Sequence, residues 1–259
     1  MKSQGKKTSK NQKNPKNSCP NPNEPIRLNR FIAQSGTCSR READTHILAG
    51  EVKVNSQVVR ELGVKIIPSK DRVLFKNKRI SAKQFVYILL NKPKNTITTT
   101  TDPMGRRTVL DLIKSATPER VYPVGRLDRN TTGLLLLTND GDLAKRLTHP
   151  AHKVPKIYHA RLNKDLTEED MEQMLKGIQL DDGLAMVDKI DYVDEKDNNH
   201  IGLEIHIGKN RIVRRMFEAL GYEVETLDRV MIAHLTKKNV PRGKWRILTN
   251  KEVAFLKMK

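Results

Sequence analysis

Three groups of residues in this sequence have the types and spacing to do chemistry. The first is Asp128, set between Arg126 and Arg129 in PVGRLDRNTTGLLLLTND, at the lip of an apolar run. Two flanking guanidinium groups favour the charged carboxylate even where water is partly excluded. A carboxylate held in its ionised form suits a nucleophile and not a general acid. The second group is Arg211, Arg214 and Arg215 in IGKNRIVRRMFEALGYEV. They crowd the start of an amphipathic helix, the end where the helix dipole least favours cations. That placement suits an anion, either backbone phosphate or a buried acid reached from inside. Arg211 and Arg215 are four apart and share a face, so Arg214 need not do the same job. The third is Tyr158 in KIYHARL, in a chain only 4% aromatic. On a strand, Tyr158, Ala160 and Leu162 share one face, opposite Ile157, His159 and Arg161. The ring then either fills the core or offers a surface on which a nucleobase can stack.

Elements able to position these groups follow from the local pattern. Residues 121–124 read as a strand, 130–133 carry turn chemistry, and Leu134 to Leu137 form an apolar run suited to a strand buried on both faces. Asp128 is therefore expected on a loop feeding a core strand, a rigid mount for a reactive group. From Phe85 onward the β-rich runs FVYILLNKP, NTITTT, VYPV, GLLLLTN, IYHARL, HIGLEIHIG and EVETLDRVMI alternate with helical stretches near 108–115, 142–147, 167–176 and 211–220. In the last helix Ile212, Val213, Met216, Phe217 and Leu220 make an apolar stripe that Gly221 can terminate. The mixture predicts an α+β domain over residues 84–259, with a long, mainly antiparallel mixed sheet flanked by helices.

The formal net charge is +19, so the surface attracts polyanions and nucleic acid is the leading partner. Residues 1–24 hold six lysines and one glutamate with hardly an apolar side chain, which predicts a disordered basic tail. Residues 25–83 carry 13 Lys+Arg against 5 Asp+Glu, whereas the remainder is closer to balance. Anchoring to a polyanion is therefore mainly N-terminal. No uninterrupted apolar stretch near the length of a membrane span and no charged-then-apolar signal segment stands out, so a cytoplasmic protein without membrane attachment is expected. Cys19 and Cys38 have no metal-ligand spacing and read as free thiols. His149 and His152 lack further ligands, so no metal site is expected.

Residues 25–83 read as helix, helix, then strands. Leu28, Phe31 and Ile32 share a helical face that Gly36 can close; Ser39 and Glu42 form a capping-box pattern for a second helix, which Gly50 ends. Arg40 and Arg41 fall in the first turn of that helix, against the dipole, which points to a nearby phosphate. The segment resembles the small αL-type RNA-binding domain first known from a small-subunit ribosomal protein (S4-like). EVKVNSQVV and DRVLFKNKRI stand where that domain has its short strand pair. Ser56 departs from the glycine that often follows the asparagine of its hairpin turn.

Taken together and in this order after such a module, GRLDRNTTGLLLLTNDGDL, KIYHARL and NRIVRRMFEALGYEV resemble the bacterial ribosomal-RNA pseudouridine synthases of the RsuA and RluB/RluF type, over about residues 26–250. The resemblance implies a monomeric enzyme that isomerises uridine to pseudouridine in RNA without metal or organic cofactor. By matching positions, Asp128 is its catalytic aspartate, Tyr158 the active-site tyrosine that stacks on uracil, and Arg214 the basic residue that pairs with the aspartate. Leu127 and Leu227 line the pocket. Arg27, Arg30, Arg40, Arg41, Lys53, Arg126, Arg129, Arg211 and Arg215 are the candidate RNA contacts. FEALGYEV and LDRVMI lie nearest the RluF-like branch, which makes 23S rRNA the expected target.

Such an enzyme must break a glycosidic bond, turn the uracil and rejoin it through carbon 5. An ionised Asp128 can act at the sugar, either by trapping the anomeric centre or by removing a sugar proton. The uridine must first leave its stack, at a cost of about a few kcal/mol, part of which Tyr158 can return. Three rivals are weighed against this reading. A non-catalytic rRNA-binding or assembly factor has no need of Asp128, Tyr158 and Arg214 together. A DNA-binding regulator would read LNRFIAQSGTCSRREADTHIL as helix-turn-helix, yet its second helix carries charge suited to phosphate more than a base-reading face. A glycoside hydrolase wants two poised carboxylates, and Asp140 and Asp142 read as turn and capping residues.

Overall fold

The computed structural model describes residues 20–194 and 196–258, so the basic tail expected over 1–24 falls almost wholly outside the described residues. The N-terminal part is built from β1 (Ile26–Arg27), α1 (Leu28–Gln34), α2 (Arg40–Leu48), β2 (Val52–Val54), β3 (Gln57–Val59), β4 (Lys65–Ile66), β5 (Val73–Phe75) and β6 (Lys78–Arg79). Leu28, Phe31 and Ile32 of α1 pack on Ala43 and Ile47 of α2 and on Val52, Ile66, Val73 and Phe75, making a small separate core. The second helix starts as its sequence requires. Ser39 Oγ accepts from the Glu42 amide at 3.3 Å, and the Glu42 carboxylate accepts from the Ser39 amide at 2.6 Å. The β2–β3 hairpin turns through Asn55 and Ser56, at φ 50° and 73°. Ser56 thus adopts the left-handed geometry for which glycine is the unstrained choice.

The larger part comprises β7 (Tyr87–Lys92), α3 (Val109–Leu112), β8 (Tyr122–Pro123), β9 (Thr132–Thr138), α4 (Gly141–Thr148), β10 (Lys156–Leu162), α5 (Glu168–Lys176), β11 (Ile178–Leu180) and β12 (Gly183–Ala185). It continues through β13 (Lys189–Asp194), β14 (Asp197–Ile205), α6 (Ile212–Ala219), β15 (Val224–Ile232), β16 (Leu235–Thr236), β17 (Trp245–Ile247) and α7 (Asn250–Met258). One sheet runs in the order β13-β14-β10-β15-β9-β7-β17, with β16 added to β15 and β8 to β9. Every pairing in it is antiparallel except β15 with β9.

Strand β9 explains the run of leucines. All seven of its residues are buried. Leu135 and Leu137 join the core on the face covered by α6, which contributes Ile212, Val213, Met216 and Phe217. Leu134 and Leu136 join the opposite core, with Leu143 and Leu147 of α4 and Val253 and Leu256 of α7. Where β9 meets β15, Gly133 lies opposite Arg229, and a Cβ there would come within 2.2 Å of the Arg229 carbonyl oxygen. Only glycine permits that approach.

Several sequence expectations change in detail. The stretch 108–115 is helical only over Val109–Leu112, and NTITTT contributes only an isolated bridge between Ile97 and Thr108. The C-terminal helix and the β11–β12 hairpin were not anticipated. Asp140 caps α4 by accepting from the Leu143 amide at 3.1 Å, whereas Asp142 forms an ion pair with Arg30 that joins the two parts of the chain. Lys83 with Glu119 and Arg120 with Glu42 add longer ion pairs across the same junction, at 3.6 and 3.7 Å.

The left-handed turn leads to a stability prediction: Ser56→Gly relieves the strain and stabilises the N-terminal part by about 1 kcal/mol. Urea unfolding followed by circular dichroism would read this as a higher midpoint, and a lower midpoint would contradict it.

Candidate active site

Asp128 sits on the loop that enters β9, and both sides of that loop are held by buried groups. On one side Thr98 Oγ1 donates to the Leu127 carbonyl at 2.8 Å and accepts from the Leu127 amide at 3.3 Å. On the other, Lys92 Nζ donates to the carbonyls of Arg129 at 3.2 Å, Thr131 at 2.8 Å and Pro93 at 3.2 Å. Lys92 is 0% exposed. Burial pulls its pKa down to about 8, while the charge of Asp128 pulls the other way. The Thr131 amide closes the turn onto the Asp128 carbonyl at 3.2 Å. Among the described residues no side chain hydrogen-bonds to the Asp128 carboxylate, which faces a cavity of about 250 Å³.

That cavity brings together Asp128 and Arg126 of the first group, Arg211 of the second and Tyr158 of the third. Leu127, Asp128, Thr131, Tyr158, Val213 and Leu227 line it, together with the turn from Gly208 to Arg211. Tyr158 arrives from β10 on the same face as Ala160 and Leu162, all three buried, as strand alternation requires. Leu227 comes from β15, where it pairs with Ala160. Arg211 adopts φ 47° immediately before α6, so the cavity wall turns sharply into the helix. A half-shielded carboxylate, an aromatic ring and apolar side chains around one small cavity can hold a planar base and act on the sugar beside it.

Residues 86–219 match the RNA pseudouridylate synthase family, and residues 26–69 match the S4 domain. The chain belongs to the RNA pseudouridine synthase family. It is 43% identical over 233 residues to an RNA pseudouridine synthase of Aquifex aeolicus (strain VF5), covering 89% of this chain and 93% of the relative. It is 42% identical to the ribosomal large subunit pseudouridine synthase B of Bacillus subtilis (strain 168), covering 89% and 95%. A crystal structure of a pseudouridylate synthase superposes with a TM-score of 0.63 at 29% identity, over 89% of this chain and 99% of that one. The synthase therefore couples an S4 domain to a catalytic domain with a mixed sheet.

Within the synthase, the arginine cluster divides by contact. Arg214 is half-buried and donates to the Val224 carbonyl at 2.5 Å; no ion pair joins it to Asp128 among the described residues. Burial and the neighbouring Arg211 lower its pKa from the usual arginine value, and the Asp128 charge acts against that shift. Arg214 thus feels the aspartate across space while its hydrogen bond goes to the backbone. Arg215 pairs with Asp182 at 2.9 Å and Arg211 with Glu218 at 3.3 Å. Lys53 donates to Asn77 at 3.1 Å. Arg27, Arg40, Arg41, Arg126 and Arg129 are exposed and carry no ion pair among the described residues. His149 and His152 lie close together, yet among the described residues no cluster of three or more His, Cys, Asp or Glu could hold a metal ion.

Sequence reasoning missed the groups behind the site. Lys92 ends the apolar run FVYILLNKP, and a lysine at the buried end of a core strand was the available signal. Asp228 and Arg229 follow Leu227 in the more buried half of β15, which is unusual for charged residues unless they are paired. Asp228 accepts from Thr132 Oγ1 at 2.7 Å, from Arg242 at 2.8 Å and from Lys237. Burial pushes its carboxyl pKa up, but the hydrogen bonds from Arg242, Lys237 and Thr132 outweigh that and hold it far below the usual carboxylate range. Arg242 also reaches Asn91 at 2.7 Å, so this network ties β7 to the β9–β15 seam.

Because the folded pKa of Asp228 lies below its unfolded value of about 4, its stabilisation is complete above that pH and is lost as pH falls. Between about pH 5 and about pH 3 the wild type should lose more unfolding free energy than Asp228→Asn, which has no carboxyl there to titrate. Parallel losses in pH-stepped urea titrations would contradict the assignment.

Proposed function

We propose that this synthase isomerises a specific uridine of large-subunit (23S) ribosomal RNA, with Asp128 as the catalytic carboxylate. The observation that carries the reading is the meeting of Asp128 and Tyr158 in one cavity, with Leu127 and Leu227 beside them. Tyr158 takes the flipped uracil on its ring, and Asp128 acts at the sugar of the same nucleotide. Arg214 supports the aspartate electrostatically. The large-subunit target is supported by the name of the Bacillus subtilis relative. The exposed arginines of the S4 domain, Arg27, Arg40 and Arg41, and those flanking Asp128, Arg126 and Arg129, supply the charge that draws in the RNA backbone. Action in the cytoplasm, as a monomer on free or assembling rRNA, is consistent with this chemistry. Among the described residues no helix is long and apolar enough to cross a membrane.

Two measurements test the reading. Asp128→Asn should abolish tritium release from carbon-5-labelled uridine in rRNA while RNA binding persists; measurable turnover would remove Asp128 from the catalytic role and leave an rRNA-binding factor as the better description. Arg214→Ala should cut turnover far more than Arg40→Ala. The latter should weaken RNA binding and lower the slope of log K against log salt by about one. Equal catalytic losses at both positions would show that binding and catalysis are not divided in this way.

A further inference from the structure

Behind the Tyr158 ring lies a cation that neither the catalytic carboxylate nor the RNA accounts for. Arg229 is 3% exposed and is the direct cross-strand partner of Tyr158 between β15 and β10. Its Nε donates to the Leu134 carbonyl at 2.7 Å, and its Nη1 lies 3.4 Å from the Tyr158 hydroxyl oxygen. Its Nη2 is buried without a partner among the described residues. A second half-buried cation, Lys156, stands on the same face of β10 and gives its hydrogens to the carbonyls of Val154 and His206, at 3.1 and 2.8 Å. No carboxylate is ion-paired with either among the described residues. Desolvating a guanidinium without a counter-charge is costly, and the structure retains this one against the phenol.

We propose that Arg229 is the positioning residue of Tyr158: its guanidinium, fastened to the Leu134 carbonyl, makes the phenol oxygen a hydrogen-bond acceptor and so turns the hydroxyl hydrogen into the uridine cavity. The argument rests on the reading of Tyr158 as the residue that meets uracil. An arginine can only donate, so the phenol oxygen must accept on that side, and its own hydrogen has to point elsewhere. The Leu134 bond makes the direction rigid, because Leu134 belongs to the doubly buried strand β9. Any negative charge that reaches the phenol oxygen while uracil reacts then finds a fixed, desolvated cation already in place. The long Nη1 contact and the spare Nη2 hydrogens leave room for the interaction to tighten as that charge develops.

The test uses the full chain carrying tyrosine labelled with carbon-13 at Cζ, whose chemical shift responds to hydrogen bonding at the phenol oxygen. The chain has five tyrosines, and the Tyr158 signal is the one missing from Tyr158→Phe. In Arg229→Met the Tyr158 resonance should move while the other four stay. Single-turnover pseudouridine formation should fall by about 100-fold with RNA affinity within about threefold of wild type. Arg229→Lys should recover part of the rate. An unmoved Tyr158 resonance, a rate within about threefold of wild type, or a loss confined to RNA affinity would each overturn the proposal. Should the methionine variant fail to fold, Arg229→Lys carries both readouts, since one ammonium cannot reproduce the fork between Leu134 and Tyr158; a wild-type spectrum and rate there would overturn it. Full turnover by Tyr158→Phe would instead remove Tyr158 from the chemistry, a failure separable from that of Arg229 because the spectrum reports their contact without any activity.

Discussion

The Lys92 ammonium is buried at the end of β7 and directs its hydrogens to three backbone carbonyls, two of them in the loop that carries Asp128. A buried ammonium costs several kcal/mol unless its donors are satisfied, so the loop cannot move away without stranding the charge. The constraint acts in both directions. The carbonyls of Arg129 and Thr131 are fixed by the lysine, and the lysine is held charged partly by Asp128. Thr98 closes the same loop from its other side through both backbone groups of Leu127. The result is a carboxylate whose backbone is tied on both flanks while its side chain lines the cavity. Such pre-arrangement is what catalysis by positioning requires.

The second constraint is the parallel seam between β9 and β15. Gly133 lets the two backbones meet, and this sets Leu227, Asp228 and Arg229 directly beside the loop that carries Asp128. Three consecutive residues then do three jobs. Leu227 lines the cavity; Asp228 gathers Thr132, Arg242 and Lys237; Arg229 passes under Tyr158 to the Leu134 carbonyl. Strand alternation sends Leu227 and Arg229 toward one face and Asp228 toward the other, which is why neighbours in sequence reach such different surroundings. This divides the strand between a cavity side, lined by Leu227, and a reverse side, where Asp228 and Arg242 lock the sheet to β7.

Much of the fold was legible because it depends on local rules. The capping box at Ser39 and Glu42, the four leucines buried on both faces, the alternation of Tyr158 with Ala160 and the apolar stripe of α6 all appear where period and capping chemistry place them. The elements that escaped were those whose signal is weak: the short β11–β12 hairpin, the charged edge strand β13, and α7, whose apolar and charged residues are not cleanly segregated. Asp140 and Asp142 show the limit within a single motif. The capping role of Asp140 follows from its position before a helix, but the partner of Asp142 lies in another domain and no local pattern points to Arg30.

The sequence by itself determined which residue types were available for the reaction and which local elements would carry them: an aspartate between arginines before a core strand, a tyrosine on a strand face, and arginines at a helix start. These are consequences of side-chain chemistry and of periods 2 and 3.6, which need only neighbouring residues. The tertiary structure decided which of them meet. It put Asp128 and Tyr158 in one cavity, gave Arg214 to the Val224 carbonyl, paired Arg215 with Asp182, and set the unanticipated Lys92 and Arg229 behind the loop and the ring. Those contacts depend on strand order and register, above all on the β9–β15 seam, and buried charges find their partners only after distant segments have packed together.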